Sequence, residues 1–293
     1  DATHFVQCRG TLISENGLYE GMMDDAINVH GVYLRVRQRI NNRTLRCRFE
    51  HNQTFGYKWG EPGDSVVFVR SATMDQLPFT ATIRSINTAG GPIAGTLEYI
   101  ITLDRDLPEE ISDKDVYVIE NITWTPEVVF RNSTVRNNRA RGALFSSARA
   151  TVCEDNFFDH TSGTAILLCG DCNGWYESGP VRNIVIRRNQ FLNALTNMFQ
   201  FTNAVISIYP EIPNIKESKT YFHGGSENAI VICDNIFETF DSPLIYAKSV
   251  DGIVVRDNKV TYNHDFKPFH WNQKAVLLEH CTRARVQDFP ERK

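Results

Sequence analysis

A short motif that recurs along the chain constrains the fold more than any other feature. In this motif Arg or Asp precedes Asn, which is followed by any residue and then by an apolar or β-branched one. Runs of Val and Ile precede the copies, which is typical of β-strands. Steps near 23 residues predict the coils of a β-solenoid, and longer steps predict coils lengthened by loops. The copies lie at Asn132, Asn156, Asn189, Asn235 and Asn258, with steps of 24, 33, 46 and 23 residues.

Two adjacent acids, Asp24 and Asp25, interrupt this framework. Residues 16–27 align without gaps to residues 155–166, so the acids occupy a defined position in a coil that other coils fill without paired acids. The apolar column that follows should point into the core of the solenoid. It consists of Ile27, Leu144, Ile166, Val205 and Ile245. The acids are therefore expected at a corner, directly before an inward-packing strand.

A third acid is expected beside this pair. Asp1 lies 23 residues before Asp24, about one coil, so it should stand on the neighbouring rung roughly 4.8 Å away at the backbone. Clustered carboxylates raise one another's pKa, which lets one stay protonated while another is ionised. Glycoside hydrolysis needs such an acid and base, and carboxyl groups about 6.5 to 9.5 Å apart admit a water for inversion. The alternative is that the tandem acids only satisfy the amides of a turn.

Polar and aromatic residues near this corner are candidate substrate ligands. Strand alternation turns Asn28 and His30 outward on the acids' side, and His4 lies on the neighbouring rung. Arg141 is expected to stack with the first of the tandem acids, either as its ion-pair partner or as a substrate ligand. An aromatic ring beside a carboxylate suits a sugar, which stacks with its apolar face and hydrogen-bonds through its hydroxyls. The candidate ligands in loops are Trp175, Glu177, Glu211 and Trp271. The alternative is that these residues only anchor their own loops.

Residues 33 to about 125 break the repeat and predict an inserted domain. Pro- and Gly-rich breakers separate alternating strands there, which indicates a small antiparallel barrel. Two further insertions, residues 169–181 and 209–228, should overhang one groove of the solenoid. The chain is therefore expected to be all-β, a parallel β-helix with an inserted barrel. Its expected divisions are 1–32, the first part of the β-helix with the catalytic rung; 33–125, the barrel; and 126–293, the rest of the β-helix.

Charge and cysteine usage exclude several classes of function. Lys and Arg number 31 against 35 Asp and Glu, for a net charge of -4, and no basic stripe predicts nucleic-acid binding. No apolar run approaches the roughly 18 residues of a membrane span. The seven cysteines are widely spaced and odd in number, which argues against a disulfide framework. Cys169 and Cys172 are expected to form either a local disulfide or two free thiols. No metal or other cofactor is expected.

The chain opens with Asp1-Ala2-Thr3-His4, which is neither an initiator Met nor a charged-then-apolar leader. We therefore expect a secreted or periplasmic protein whose targeting peptide, with a further N-terminal portion of the solenoid, lies outside this sequence.

Four segments carry a resemblance to a known family: Asp1–His4, Asp24–Gly31, Asn173–Gly179 and Phe240–Lys248. Over nearly the whole chain the sequence resembles glycoside hydrolase family 110. The resemblance implies a right-handed parallel β-helix with barrel insertions. It also implies metal-independent, inverting, exo-acting release of terminal α-1,3-linked galactose from blood-group B or linear α-galactosyl glycans. The resemblance further implies catalytic roles for Asp24, Asp25 and Asp1. The expected partner is a galactose-terminated oligosaccharide or glycan. The sequence is also compatible with a homodimer.

Other classes share parts of this pattern. Tandem Asp with another Asp one coil earlier also resembles the polygalacturonases of family 28, although their Arg-Ile-Lys motif is absent here. An anionic substrate is also compatible with the sequence, because three cationic side chains are expected near the groove: Arg139, Arg141 and Lys248. A non-catalytic glycan-binding β-helix would use the same groove without turnover, and a polysaccharide lyase would need a calcium cluster with a Lys or Arg base.

Overall fold

Parallel β-strands stack in three faces around one core. The computed structural model describes residues 1–90, 96–112, 115–197 and 203–292, and these contain strands, two 3-10 turns (Asn52–Thr54 and Ile215–Glu217) and no α-helix. Face A contains Thr3–Val6, Ile27–Val32, Ala143–Phe145, Ile166–Leu168, Ile206–Ile208 and the first residues of Ile245–Arg256. Face B contains Thr11–Glu15, Glu127–Arg131, Ala150–Glu154, Asn183–Arg187, Ile230–Cys233 and the last residues of Ile245–Arg256. Face C contains Leu18–Glu20, Thr134–Arg136, Phe157–Asp159, Gln190–Leu192, Ile236–Thr239 and Lys259–Tyr262.

One long strand and two short ones complete the stack. Val276–Val286 pairs along Ile245–Arg256, and His223–Gly224 pairs with the same strand. Glu177–Ser178 pairs antiparallel with Ile27–Val32 at the edge of face A. The fold class expected from the repeat, a parallel β-helix with an inserted barrel, is confirmed.

The inserted barrel is closed by six antiparallel strands. Their order around the barrel is Tyr117–Asn121, Leu34–Arg39, Thr44–Arg48, Glu98–Leu103, Asp75–Thr88 and Ser65–Arg70. Strand Ile27–Val32 of face A passes into the barrel through Tyr33 alone, and the β-helix resumes at Glu127. We keep 1–32, 33–125 and 126–293 as proposed divisions of the chain.

The repeated Asn residues form a buried ladder between faces B and C. Each donates its backbone N–H to the side-chain oxygen of the next, at 3.0 Å for Asn156 to Asn189, Asn189 to Asn235 and Asn235 to Asn258. The residue before each of these Asn has a left-handed backbone, with φ between 53° and 58°. Asn132 itself takes that left-handed position, with φ of 52°, and its neighbour Ser133 joins the ladder. The first copy of the motif is thus displaced by one residue.

The predicted inward column is out of register by one residue in two coils, at Leu144 and Val205, although Val205 is buried in the core of the β-helix. The paired column is Ile27, Ala143, Ile166, Ile206 and Ile245. Leu144, predicted to point inward, pairs with Asn28 and lines a cavity outside the β-helix. Because the corners differ in length, counting without gaps loses the register there. As a result Arg141 is level with Asp25 instead of Asp24, and Thr3 pairs with Ile27, which makes the first coil 24 residues instead of 23.

Aromatic and aliphatic side chains fill the β-helix. On face C the rings of Phe158, Phe191 and Phe237 stack with centroids 5.2 and 4.9 Å apart. All seven cysteines are free thiols, so Cys169 and Cys172 form no disulfide. Within the described part of the chain, no helix has the length and apolar character that crossing a membrane requires.

Candidate active site

A cavity of about 620 Å³ opens where the corner between faces C and A meets the barrel. Strands of face A form its floor, the barrel turn Asn52–Thr54 forms one wall, and the 169–181 loop forms another. A cavity of this volume is in the range that encloses a small ligand. Of the residues predicted from the sequence, it is lined by Asp1, His4, Asp24, Asn28, His30, Arg141, Trp175, Glu177 and Glu211.

The three acids meet at this corner. Asp1, Asp24 and Asp25 each place one carboxylate oxygen within 4.8 Å of the others. Asp1 lies one coil before Asp25, and its Oδ1 accepts the backbone N–H of Asp25 at 3.2 Å. The side chain of Asp24 is 46% exposed, that of Asp1 is 13% exposed, and that of Asp25 is fully buried behind them. These oxygens stand closer than the separation of about 6.5 to 9.5 Å expected for an inverting pair.

Arg141 neutralises part of this charge. Its Nε and Nη2 donate to both oxygens of Asp25, at 2.7 and 3.0 Å, and Nη2 also donates to Asp24 at 3.0 Å. Such two-pronged contacts are among the stronger charge-assisted hydrogen bonds. Burial raises the pKa of Asp25 to about 6, although the charge and hydrogen bonds of Arg141 act in the opposite direction. Arg141 is thus an ion-pair partner of both tandem acids and also reaches the cavity.

A row of histidines continues from Asp1. His4 Nδ1 lies 2.9 Å from Asp1 Oδ2, and His4 Nε2 lies 2.8 Å from Nε2 of His30. His30 is buried; its Nδ1 lies 2.7 Å from the carbonyl oxygen of Gly31, and its Nε2 lies 3.6 Å from Glu177. His30 therefore lies on the acids' side of its strand but is linked to protein groups at both ring nitrogens.

The 169–181 loop is organised by an acid that sequence reasoning missed. Asp171 is buried and accepts the backbone N–H groups of Asn173, Gly174 and Trp175. This turn presents Trp175, whose ring lies 4.7 Å from that of His51 in the barrel. The Asp-x-Asn-Gly pattern in the sequence is a turn signal that could have identified it.

Gly31 allows the same loop to close against face A. Ser178 pairs with Gly31, and a Cβ on Gly31 would come within 2.3 Å of Ser178 Oγ and 3.0 Å of Gln7. The close approach places the neighbouring Glu177 over His30.

Two further predicted residues line the cavity with polar groups. The side-chain oxygen of Asn28 is buried and has no hydrogen-bond partner among the described residues. Glu211 is half-buried, and its pKa is raised by burial and by the charge of Asp171. Asn28 therefore offers an acceptor, and Glu211 a carboxyl group, to a ligand in the cavity.

Trp271 is placed elsewhere. Its side chain is 55% exposed and does not line the cavity. Other lining residues come from the barrel and could not be located from the sequence, because nothing in it indicated which barrel turn would face the corner. They are His51, Gln53, Thr54 and Tyr57.

The three clustered acids have the ligand chemistry of a site for a hard cation such as Mg²⁺ or Ca²⁺. One oxygen from each lies within the 4.8 Å that a shared ion requires. The guanidinium of Arg141 already supplies a positive charge to two of the three. The cluster therefore carries charge compensation from the protein itself.

Fold and cavity together define a parallel β-helix protein with a carboxylate-lined site beneath an inserted barrel. Residues 44–117 match a family model described as GLAA-B beta-barrel domain II. The chain is 58% identical over 98% of its length to alpha-1,3-galactosidase B of Bacteroides fragilis, of which it covers 49%. The corresponding protein of Phocaeicola vulgatus is 55% identical, with the same coverage, and that of Akkermansia muciniphila is 42% identical, with 98% of this chain and 34% of that protein covered.

The chain thus spans about half the length, or less, of the curated relatives it matches. The resemblance to glycoside hydrolase family 110 stated from the sequence is confirmed by these relatives, which carry the name alpha-1,3-galactosidase B, and by the match to the barrel domain.

Proposed function

We propose that this chain forms the active site of an inverting exo-α-1,3-galactosidase. The substrates would be glycans with terminal α-1,3-linked galactose, of the blood-group B type, the linear type or both. One observation carries the proposal of a glycoside hydrolase site: three acids cluster within 4.8 Å at a cavity of about 620 Å³. Inversion is proposed from the resemblance to glycoside hydrolase family 110 and not from the separation of the acids. The names of relatives such as alpha-1,3-galactosidase B of Bacteroides fragilis support the choice of bond and sugar.

The exposure of the acids supports a division of roles. In an exo-acting enzyme the galactose lies deep, and the scissile bond faces the mouth of the cavity. Asp24, whose side chain is the most exposed of the three, is therefore the proposed general acid for the leaving oxygen. Asp1 and Asp25 lie deeper and would share the role of general base toward the attacking water, with Asp1 facing the cavity.

Several groups around the acids suit a hexose. The unpartnered oxygen of Asn28 can accept a sugar hydroxyl, and Glu211 can accept another. Trp175 and His51 supply adjoining ring surfaces on which an apolar sugar face can stack. We propose these four residues as substrate ligands. Four further residues line the cavity, where they can contact the substrate, and they also orient the acids: His4, His30, Arg141 and Glu177.

The test is an NMR time course with α-1,3-galactobiose. Release of β-galactose before mutarotation is the expected result and means inversion; α-galactose first would contradict inversion. Asp24→Asn should lower kcat by about 10² to 10⁴-fold, the range of general acid catalysis. Asp234→Asn, an exposed acid outside the cavity with a left-handed backbone that Asn tolerates, is the matched control.

Other outcomes would identify other functions. Galactose binding without release would indicate a glycan-binding module, and turnover of polygalacturonate would favour the family 28-like alternative. We also propose a secreted or periplasmic location, because such glycans are extracellular. A homodimer remains an expectation, and sedimentation velocity tests it.

A further inference from the structure

Asp1 is attached to a chain of hydrogen bonds that ends on the backbone. Asp1 Oδ2 contacts His4 Nδ1 at 2.9 Å, and His4 Nε2 contacts His30 Nε2 at 2.8 Å. His30 Nδ1 then contacts the carbonyl oxygen of Gly31 at 2.7 Å. Each of these three contacts joins two heavy atoms at hydrogen-bond distance, so each requires a proton.

The number of protons follows from which groups can donate. A carbonyl oxygen only accepts, so Nδ1 of His30 carries a proton. One proton must lie between the two Nε2 atoms, because two bare imidazole nitrogens repel each other at 2.8 Å. A third lies between His4 and Asp1. Two neutral imidazoles account for only two of these protons, so the third makes either Asp1 a neutral acid or the histidine pair a cation.

The charges around the pair favour the cation. Glu177 lies 3.6 Å from His30 Nε2. Burial lowers the pKa of His4, whereas the charges of Glu177, Asp25 and Asp24 raise it. The positive charge is therefore better placed on His30, which faces Glu177, than on His4. In that arrangement His4 is neutral and donates from Nδ1 to an ionised Asp1.

We propose that His4 and His30 form a proton-bound positioning pair that holds Asp1 ionised and oriented; this role rests on the function proposed above. When the shared proton is lost as pH rises, the two Nε2 atoms can no longer remain in contact. His4 then releases Asp1, and activity falls. The pair would therefore set an alkaline limit to activity that is separate from deprotonation of the general acid.

The first measurement does not depend on catalysis. ¹⁵N NMR of the imidazole nitrogens in the unliganded protein should show three protonated nitrogens among the four of His4 and His30 at neutral pH. Spectra of His4→Asn and His30→Gln assign the signals. Two neutral rings across pH 5 to 9 would overturn the proposal, because the third proton would then reside on Asp1. This readout is informative even if α-1,3-galactobiose is not hydrolysed, in which case only the proposed function fails.

Kinetics provide the second measurement. Asn can donate from the position of Nδ1 without titrating, so His4→Asn should keep kcat/KM near neutral pH within about tenfold and move the alkaline limb up by at least about one pH unit. Gln places its amide near the position of Nε2 and no longer donates a hydrogen bond to Asp1, so His4→Gln should lower kcat about 10²-fold. An unchanged alkaline limb in His4→Asn would contradict the proposal and assign the limb to the general acid.

A matched control is available outside the cavity. His160 also contacts a carboxylate, that of Asp159, and it does not line the cavity. Its left-handed backbone is one that Asn tolerates. His160→Asn should leave both the rate and the pH profile unchanged, and a shifted profile in this variant would mean that the shift in His4→Asn does not report on Asp1.

Discussion

At the scale of single residues, the corner concentrates negative charge around one guanidinium. Arg141 bonds to both tandem acids, and Asp25 is fully buried behind it. Burying a carboxylate is unfavourable unless a cation accompanies it. The raised pKa of Asp25, about 6, reflects that desolvation. Protonation of Asp25 below this pH weakens its pairing with Arg141, so we expect an acid limb of activity near pH 6.

Removing Arg141 tests this balance. Arg141→Met leaves Asp25 buried without its cation, which should cost about 3 to 5 kcal/mol of unfolding free energy near neutral pH. The pKa of Asp25 is already above its unfolded value of 3.8, so the folded state binds the proton more tightly and ionisation opposes folding. Without Arg141 that pKa rises further. The loss should therefore be larger at pH 8 than at pH 5, as measured by urea unfolding.

The exposed pair of Arg131 with Glu15 provides a control for that experiment. Arg131→Met should cost no more than about 1 kcal/mol, and equally at both pH values, because solvent screens the pair. An Arg141→Met loss that does not depend on pH would mean that Asp25 is not the group left unpaired.

At the scale of secondary structure elements, the Asn ladder ties successive coils together at one corner. Asn189 is fully buried; its side chain accepts the backbone N–H of Asn156 at 3.0 Å and donates to the carbonyl oxygen of Cys153 at 2.9 Å. It also donates to Asn235 at 3.1 Å. Each Asn therefore satisfies backbone groups of a neighbouring coil, which explains why the motif recurs once per coil.

Asn189→Ala should lower the free energy of unfolding by about 2 to 4 kcal/mol, because at least two buried backbone groups lose their partners at about 1 to 3 kcal/mol each. Chemical denaturation followed by circular dichroism measures the loss. Glu227→Gln, on an exposed side chain, should change stability by less than about 0.5 kcal/mol. A near-neutral Asn189→Ala would mean that water or a shifted backbone replaces the ladder.

At the scale of the whole molecule, the site exists only where the barrel meets the β-helix. Gln7 links the two: its side chain accepts the backbone N–H of Val32 at 2.7 Å and donates to the carbonyl oxygen of Trp59 at 3.2 Å. Trp59 in turn donates from its indole to the carbonyl oxygen of Val32 at 2.7 Å. These buried hydrogen bonds tie the strand Ile27–Val32 to Trp59 of the barrel, close in sequence to the turn Asn52–Thr54 that lines the cavity.

Gln7→Leu should lower stability by about 1 to 3 kcal/mol, because the buried N–H of Val32 loses its acceptor, whereas the carbonyl oxygen of Trp59 keeps the side-chain amide of Asn121 as a donor. It should also raise KM for α-1,3-galactobiose more than it lowers kcat, because the barrel wall shifts while the acids stay on the β-helix. Trp fluorescence during urea unfolding and steady-state kinetics measure the two effects. Gln38→Leu, on an exposed barrel strand, is the control. A fall in kcat alone would mean that Gln7 acts on the acids instead of on the barrel.

The β-helix and the insertion could be predicted from the chain because both follow from local patterns. An Asn once per coil and runs of Val and Ile recur at near-constant steps, and the pattern stops where the barrel begins. Asp1, Asp24 and Asp25 could be brought together by counting alone, since stacked coils convert a separation of one coil into a spatial contact. Register was less certain, and Leu144 and Val205 were misplaced, because corners of unequal length leave no periodic mark.

The tertiary structure decided what surrounds the acids. The burial of Asp25 behind Arg141, the contact of His4 with His30, and the barrel turn that carries His51 all depend on how distant segments pack. Trp271 remained outside the cavity for the same reason. Periodicity is a property of neighbouring residues and can be read from the chain, whereas a cavity is the space left between separate elements. Its shape and its charge balance are set only when those elements meet.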